Sequence, residues 1–229
     1  MPAGNVYNTC MEKNIISIYP ANIPTEALLS ALHIDREDEQ FEAIEGMRRE
    51  AAEIAKPIAL YSRFSPELRE GAVWINGVQF KEPFVYEKLS GSGSAVPYVA
   101  SCGREIEAWS RRFTDMFEQF AASTLKQLCL NLIREKLFAE IREKYFDANA
   151  HVSRLNPDSL KEWPITGQIP LFTALGGVTG DIGVELAESL LMAPVKSVSG
   201  IMFQGEEPYE NCQLCPKPNC PNRRAPYAA

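Results

Sequence analysis

Histidine is scarce: the 229 residues contain two, His33 and His151. Neither sits in a Ser/His/Asp constellation, so a histidine-dependent hydrolase is not expected. Runs of lysine and arginine are missing, and the net charge is −7. That balance argues against sequence-independent nucleic-acid binding, which depends on neutralising phosphates. Long apolar runs are missing too. No stretch approaches the roughly 18 residues of a membrane span. Residues 1–30 lack the apolar core of a secretory leader, since Ile15–Ile18 is short and broken by Ser17. A cytoplasmic, membrane-independent protein is expected. There is no dinucleotide-binding fingerprint. Ser90–Ser94 (SGSGS) lacks the glycine spacing and the Lys-Ser or Lys-Thr pair of a phosphate loop.

What is present is a chain with 45% hydrophobic residues, enough for one large core or two modest ones. Asn14–Tyr19 reads as a strand. Helices are predicted over Ile23–Leu32 and Arg36–Ala55, the second stopped by Pro57. Strand patterns follow at Ile58–Phe64 and Val96–Ser101. Val73–Ile75 and Val78–Phe80 flank Asn76-Gly77, a hairpin signal. Trp109, Phe113, Met116, Phe117 and Phe120 form one helical stripe. Leu125, Leu128, Cys129, Leu132, Ile133, Leu137, Phe138 and Ile141 continue it, as one long helix or as two meeting near Asp115. Residues 150–164 read as irregular, Thr166–Leu175 as helix, Val184–Met192 as helix or a mixed segment, and Ser197–Phe203 as strand. Helices and antiparallel strands without βαβ alternation give the class α+β. The division is a single domain over residues 1–205 and a Pro/Cys-rich tail over 206–229, which holds five of the 16 prolines.

Three stretches carry a family resemblance. Tyr98–Gly103 (YVASCG), with the helices after it, is similar to a strand ending at a small residue and glycine. Arg154–Pro157 (RLNP), followed by WPITGQIPLF, resembles an Arg-x-x-Pro-Gly turn. Ile182–Phe203 (IGVELAESLLMAPVKSVSGIMF) resembles a Gly-Val-x-Leu-x-Glu-Ser segment, a proline and Ser-Val-Ser-Gly. Together they cover about residues 96–205. The family they resemble is the activation domain of cobalamin-dependent methionine synthase. The resemblance implies a twisted antiparallel sheet with surrounding helices. It implies S-adenosylmethionine as ligand, and a role in reductive reactivation of a corrinoid-carrying methyltransferase. The cobalamin would be carried by that partner, and the electron would come from a flavodoxin- or ferredoxin-like donor. Asp158-Ser159 stands where the family has Gly-Tyr, and Asn131 stands near its helical glutamate. The Asp-x-His-x-x-Gly motif by which many corrinoid proteins ligate cobalt is absent: His33 is followed by Ile-Asp-Arg and His151 by Val-Ser-Arg.

The resemblance marks Arg154 and Asn156 in the turn, Glu185 and Glu188, Ser197, Ser199 and Gly200 in the strand, and Tyr209 as ligand candidates. A guanidinium suits an amino-acid carboxylate, although Arg154 also fits an ordinary structural arginine. Small residues at alternate strand positions admit a ligand or a closely packed backbone. Glu185 and Glu188 suit a sulfonium or a ribose, or are merely solvated. The Tyr209 ring suits a cation or an adenine.

Six cysteines in a reducing compartment point away from structural disulfides. Cys212, Cys215 and Cys220 form C-x2-C-x4-C, a spacing that suits zinc or an iron–sulfur cluster, or else three free thiols. Cys10, Cys102, His33, His151 or an exogenous group would complete the set. Cys129 sits in an apolar stripe, where a thiol packs as a small hydrophobe. No catalytic side chain is predicted. The two rival readings are an iron–sulfur redox protein serving a corrinoid partner and a partner-binding protein without ligand.

Overall fold

A computed structural model of the chain describes residues 12–158, 161–220 and 223–228. Cys10 and Ser159 lie outside them. In chain order the elements are β1 (Asn14–Ser17), α1 (Thr25–Leu32), α2 (Phe41–Ile54) and β2 (Ile58–Tyr61). Then come β3 (Glu67–Arg69), β4 (Ala72–Ile75), β5 (Val78–Phe80), α3 (Pro83–Leu89) and β6 (Ala95–Ser101). α4 (Arg104–Ser110), α5 (Met116–Tyr145), β7 (Val152–Leu155), α6 (Gln168–Leu175) and α7 (Val178–Ile182) follow. β8 (Glu185–Leu186), β9 (Met192–Ala193) and β10 (Ser197–Gln204) complete the domain, and the tail contains a 3₁₀ turn at Asn211–Gln213.

The main sheet has the order β1-β2-β6-β10-β7, with every neighbouring pair antiparallel. Side chains alternate across its faces. Ala59, Tyr61, Val96, Tyr98, Ala100 and Met202 face a helix layer of α1, α2, α4 and α5. Leu60, Ala95, Val99, Leu155, Ile201 and Phe203 face a second layer made of β4, β5, α3, α6 and α7. Both faces are covered, so all seven residues of the central β6 are buried. The class is α+β, as the sequence predicts.

Local chemistry explains most boundaries. The Asp115 carboxylate accepts from the N–H groups of Phe117 and Glu118 at 2.9 and 3.0 Å, which starts α5 and separates it from α4. The long stripe is therefore split. Trp109 and Phe113 stack edge-on at 4.8 Å in the α4 turn, whereas Met116 and Phe120 are exposed. In α5 the residues at 121, 125, 129, 133, 137 and 141 form a buried row at intervals of four. Asn76 and Gly77 both take positive φ, 51° and 73°, as the two-residue hairpin β4–β5 requires.

Two expectations fail, one open alternative is decided, and two elements go unforeseen. The Arg36–Ala55 helix begins only at Phe41. β3 and α3 had no separate sequence signal. The 150–164 stretch contains β7, which buries Ser153 and Leu155 and pairs with β10 far along the chain. The Val184–Met192 stretch, expected as a helix or a mixed segment, takes the non-helical alternative and forms the β8–β9 hairpin. Its turn is closed by Leu190 N–H to Ala187 O at 2.8 Å, with Leu190 in the left-handed region. In β7 long-range pairing with β10 overrides local propensity.

Candidate functional site

The end of β7, the start of β10, β9 and the tail enclose a cleft of about 320 Å³. Asn156, Pro157 and Asp158 come from the turn after β7, and Met192 from β9. Ser197, Val198 and Ser199 come from β10. Asn211, Cys212, Cys215 and Arg224 come from the tail.

Gly200 makes the turn's close approach possible. A Cβ there would collide with the Asn156 amide nitrogen, the Leu155 carbonyl and, at 2.7 Å, the Tyr98 hydroxyl. The bare strand face is therefore filled by the chain's own turn. Asn156 Nδ2 donates to Ser199 O at 2.7 Å and to the Tyr98 hydroxyl at 2.8 Å. Those bonds fix the amide orientation. They leave Asn156 Oδ1 buried without a hydrogen-bond partner among the described residues.

The tail is stitched to β7. Tyr209 N–H donates to Ser153 Oγ at 2.7 Å, and Arg154 N–H to Tyr209 O at 3.4 Å. The Asn211 side chain accepts from Asn156 N–H at 3.3 Å and donates to Asn156 O at 2.6 Å and to Asp158 Oδ2 at 2.8 Å. Arg223 donates to the carbonyls of Cys212 and Cys215 at 2.9 Å each and to those of Lys217 and Ala225, binding the turn to the following segment.

Arg154 lies beside the cleft rather than in its wall. Its Nε donates to Glu210 Oε1 at 2.9 Å, its Nη2 bonds the same oxygen, and its guanidinium lies 4.5 Å from the centre of the Phe138 ring. Glu210 Oε2 is 3.1 Å from Arg224 Nε, close enough to pair electrostatically but not aligned as a hydrogen bond. Arg134, on α5, is the third cation of the group. Burial holds its guanidinium below its ordinary value, and the charges of Arg224 and Arg154 add to the effect.

Asn156, Ser197 and Ser199 thus line one cleft, with Gly200 buried beneath the turn. Glu185 and Glu188 are exposed on the β8–β9 hairpin and line no part of it. Tyr209 faces a second, polar cleft of about 450 Å³, with Glu87, Lys88, Glu206 and Gln213. Its ring meets Phe84 edge-on at 5.5 Å, with Lys88 Nζ 5.3 Å from each ring centre. The smaller cleft is the better candidate, because it gathers the marked turn and strand residues.

Cys212 and Cys215 share one turn and line that cleft, while Cys220 does not line it. Arg224 N–H donates to Cys212 Sγ at 3.4 Å. Among the described residues, no three His, Cys, Asp or Glu side chains come together as a metal site. Cys102 and Cys129 are buried in the helix-side core, and burial pushes both thiols up to about 12. His33 and His151 are exposed. Arg224, Glu210 and Asn211 carry no sequence signal, because only the return of the tail to β7 places them at the cleft.

No protein-family model matches the chain, and no curated protein matches it. Among solved structures, it is similar to a crystal structure of the MetH reactivation domain bound to AdoHcy. The TM-score is 0.64 and the identity 16%, over 87% of this chain and 81% of that one. Among the described residues no helix is long and apolar enough to cross a membrane.

Proposed function

We propose, from the premise that this chain has the fold of the MetH reactivation domain, that it binds an S-adenosyl amino acid in the 320 Å³ cleft and helps to reactivate a corrinoid-dependent methyltransferase. The observation that carries the reading is the cleft itself. It lies between the Arg154–Pro157 turn and the Ser197–Gly200 strand, and has the size of a small ligand site, about 300 Å³ or more. Pro157, Met192 and Val198 give it apolar walls, and Asp158 is the one carboxylate among the lining residues. Asn156, Ser197 and Ser199 add polar groups to the lining.

S-adenosylmethionine would supply a methyl group on a sulfonium sulfur. The corrinoid would arrive on the partner, with the electron from a flavodoxin- or ferredoxin-like donor. The chain's own work is to bind and orient the ligand and keep water from it. Leu191 and Val195, 61% and 72% exposed, flank the segment whose Met192 lines the cleft. They form an apolar rim suited to a docking protein.

Titration calorimetry with S-adenosylhomocysteine and S-adenosylmethionine tests the reading, with saturable binding expected. Absence of heat at millimolar ligand refutes it. A second reading has Cys212, Cys215 and Cys220 binding zinc or an iron–sulfur cluster. The shared cleft-lining turn of Cys212 and Cys215 favours it. Cys220 would have to move to join them, since no three ligating side chains converge among the described residues. Protein purified without oxygen would then carry stoichiometric zinc or iron. Trace metal alone would reject that reading.

A further inference from the structure

We infer that the anion contact of the cleft is Arg224, supplied by the C-terminal tail, and not Arg154, so that the cleft selects ligands with an amino-acid carboxylate. The inference rests on the ligand reading above and assigns it a residue from outside the stretches that carry the family resemblance.

Arg154 is already committed. Two of its nitrogens engage Glu210 Oε1, its planar face is occupied by Phe138, and it does not line the cleft. A ligand carboxylate on Arg154 would have to displace Glu210. That residue is held by the parallel bridge to Arg154, and the residues on either side of it are bonded to β7 and its turn.

Arg224 stands differently. It lines the cleft, and its ion-pair partner among the described residues is Glu210 Oε2, without an aligned N–H···O bond. Its side-chain nitrogens make no hydrogen bond to the described residues, so the planar fork that suits a carboxylate is available. Its backbone is fixed in advance by its N–H bond to Cys212 Sγ and by the Arg223 clasp beside it.

Glu210 is a single carboxylate set between Arg154 and Arg224, and the Arg134 guanidinium senses both cations. Asp158, the carboxylate among the lining residues, bonds Asn211. The cations thus gather at the Arg224 side of the cleft, which is where an anion is favoured. Asn156, Ser197 and Ser199 give the same cleft polar lining. A carboxylate on Arg224 beside that polar lining suits the zwitterionic end of an α-amino acid.

The test uses the full chain and two probes that share adenosine and a thioether. S-adenosylhomocysteine has the amino-acid end, and 5′-methylthioadenosine lacks it. The wild-type chain should bind the first more tightly. Arg224→Gln should weaken S-adenosylhomocysteine about ten- to hundredfold, the range for a lost hydrogen bond to a charged group. It should leave 5′-methylthioadenosine and the melting temperature unchanged. Arg224→Lys should recover part of the loss. Arg154→Gln should lower the melting temperature while keeping the preference between the probes. Equal affinity of the wild type for both probes overturns the inference but spares the ligand reading. So does an unaltered preference in Arg224→Gln, or a preference lost only in Arg154→Gln. Binding of neither probe removes the ligand reading, and the inference falls with it.

Discussion

Gly200 shows how one missing methyl group shapes the cleft. With hydrogen in place of Cβ, Asn156 reaches across β10 and bonds Ser199 O and Tyr98. Gly200→Ala would push the turn away and leave a buried amide and the Tyr98 hydroxyl unpaired. We expect a loss of about 2–4 kcal/mol in urea unfolding, from overpacking and lost hydrogen bonds together. Ligand affinity should fall as well. A change under about 0.5 kcal/mol would mean that the turn can shift freely. Glu45 gives a pH prediction remote from the cleft. Its carboxylate bonds Arg48 at 2.6 and 2.7 Å, and Arg49 and Thr25 add weaker contacts. These partners, Arg48 first, hold the acid at about 2, below its ordinary 4.5. A depressed folded-state value stabilises the fold above 4.5, and the contribution is lost as pH falls toward 2. Glu45→Gln should therefore be less stable than wild type at pH 7 by about 1–3 kcal/mol. The gap should close as the buffer nears pH 2, which thermal unfolding at several pH values would measure.

At the scale of elements, the tail adds an edge to the sheet. β7 pairs with β10 on one side, and on the other receives Tyr209–Asn211 through backbone and side-chain bonds. Those bonds cover a strand edge that would otherwise offer unpaired groups. The same residues bring Cys212, Cys215 and Arg224 to the cleft. A chain ending at Gly205 should fold, because both cores lie within the preceding residues apart from the partly buried Tyr209. It should melt several degrees lower, and S-adenosylhomocysteine binding should drop below detection. Unchanged binding by the shortened chain would place the ligand elsewhere, the cleft beside Tyr209 being the next candidate.

The molecule as a whole has two apolar cores, one on each side of a five-stranded sheet, and Leu191 and Val195 are exposed on either side of the cleft-lining Met192 in sequence. Neither histidine lies in a cobalt-ligating motif, so the reactivation reading requires the corrinoid to come on another protein. The contact must then be transient and sensitive to the state of the cobalt, since a partner bound equally in all states would shift nothing. We expect tighter binding to a corrinoid protein in its cob(II)alamin form than in its methylated form. Surface-binding measurements on both forms check this, and equal affinities would remove the activation role.

The sequence by itself determined the α+β class, most helices and strands, the Asn76-Gly77 hairpin and the Ser197–Phe203 strand, whereas the turn beside the cleft was marked only by the family resemblance. Each of the former rests on local chemistry: apolar spacing, stop residues and small side chains at alternate positions. The position of the α5 start also rests on a local cap, though one carboxylate among many made it hard to single out. Only the tertiary structure decided the rest. β7 is four residues long with two polar side chains, and it becomes a strand because β10 supplies its hydrogen bonds. Val184–Met192 has helical spacing, yet folds as a hairpin whose β9 packs on β10. Arg154 fitted either a ligand contact or an ordinary structural arginine, and Glu210, 56 residues on, engages it in the second way. Arg224 reaches the cleft for the same reason: contacts between distant segments are set by which groups complete each other's hydrogen bonds and charges, and no local pattern encodes that choice.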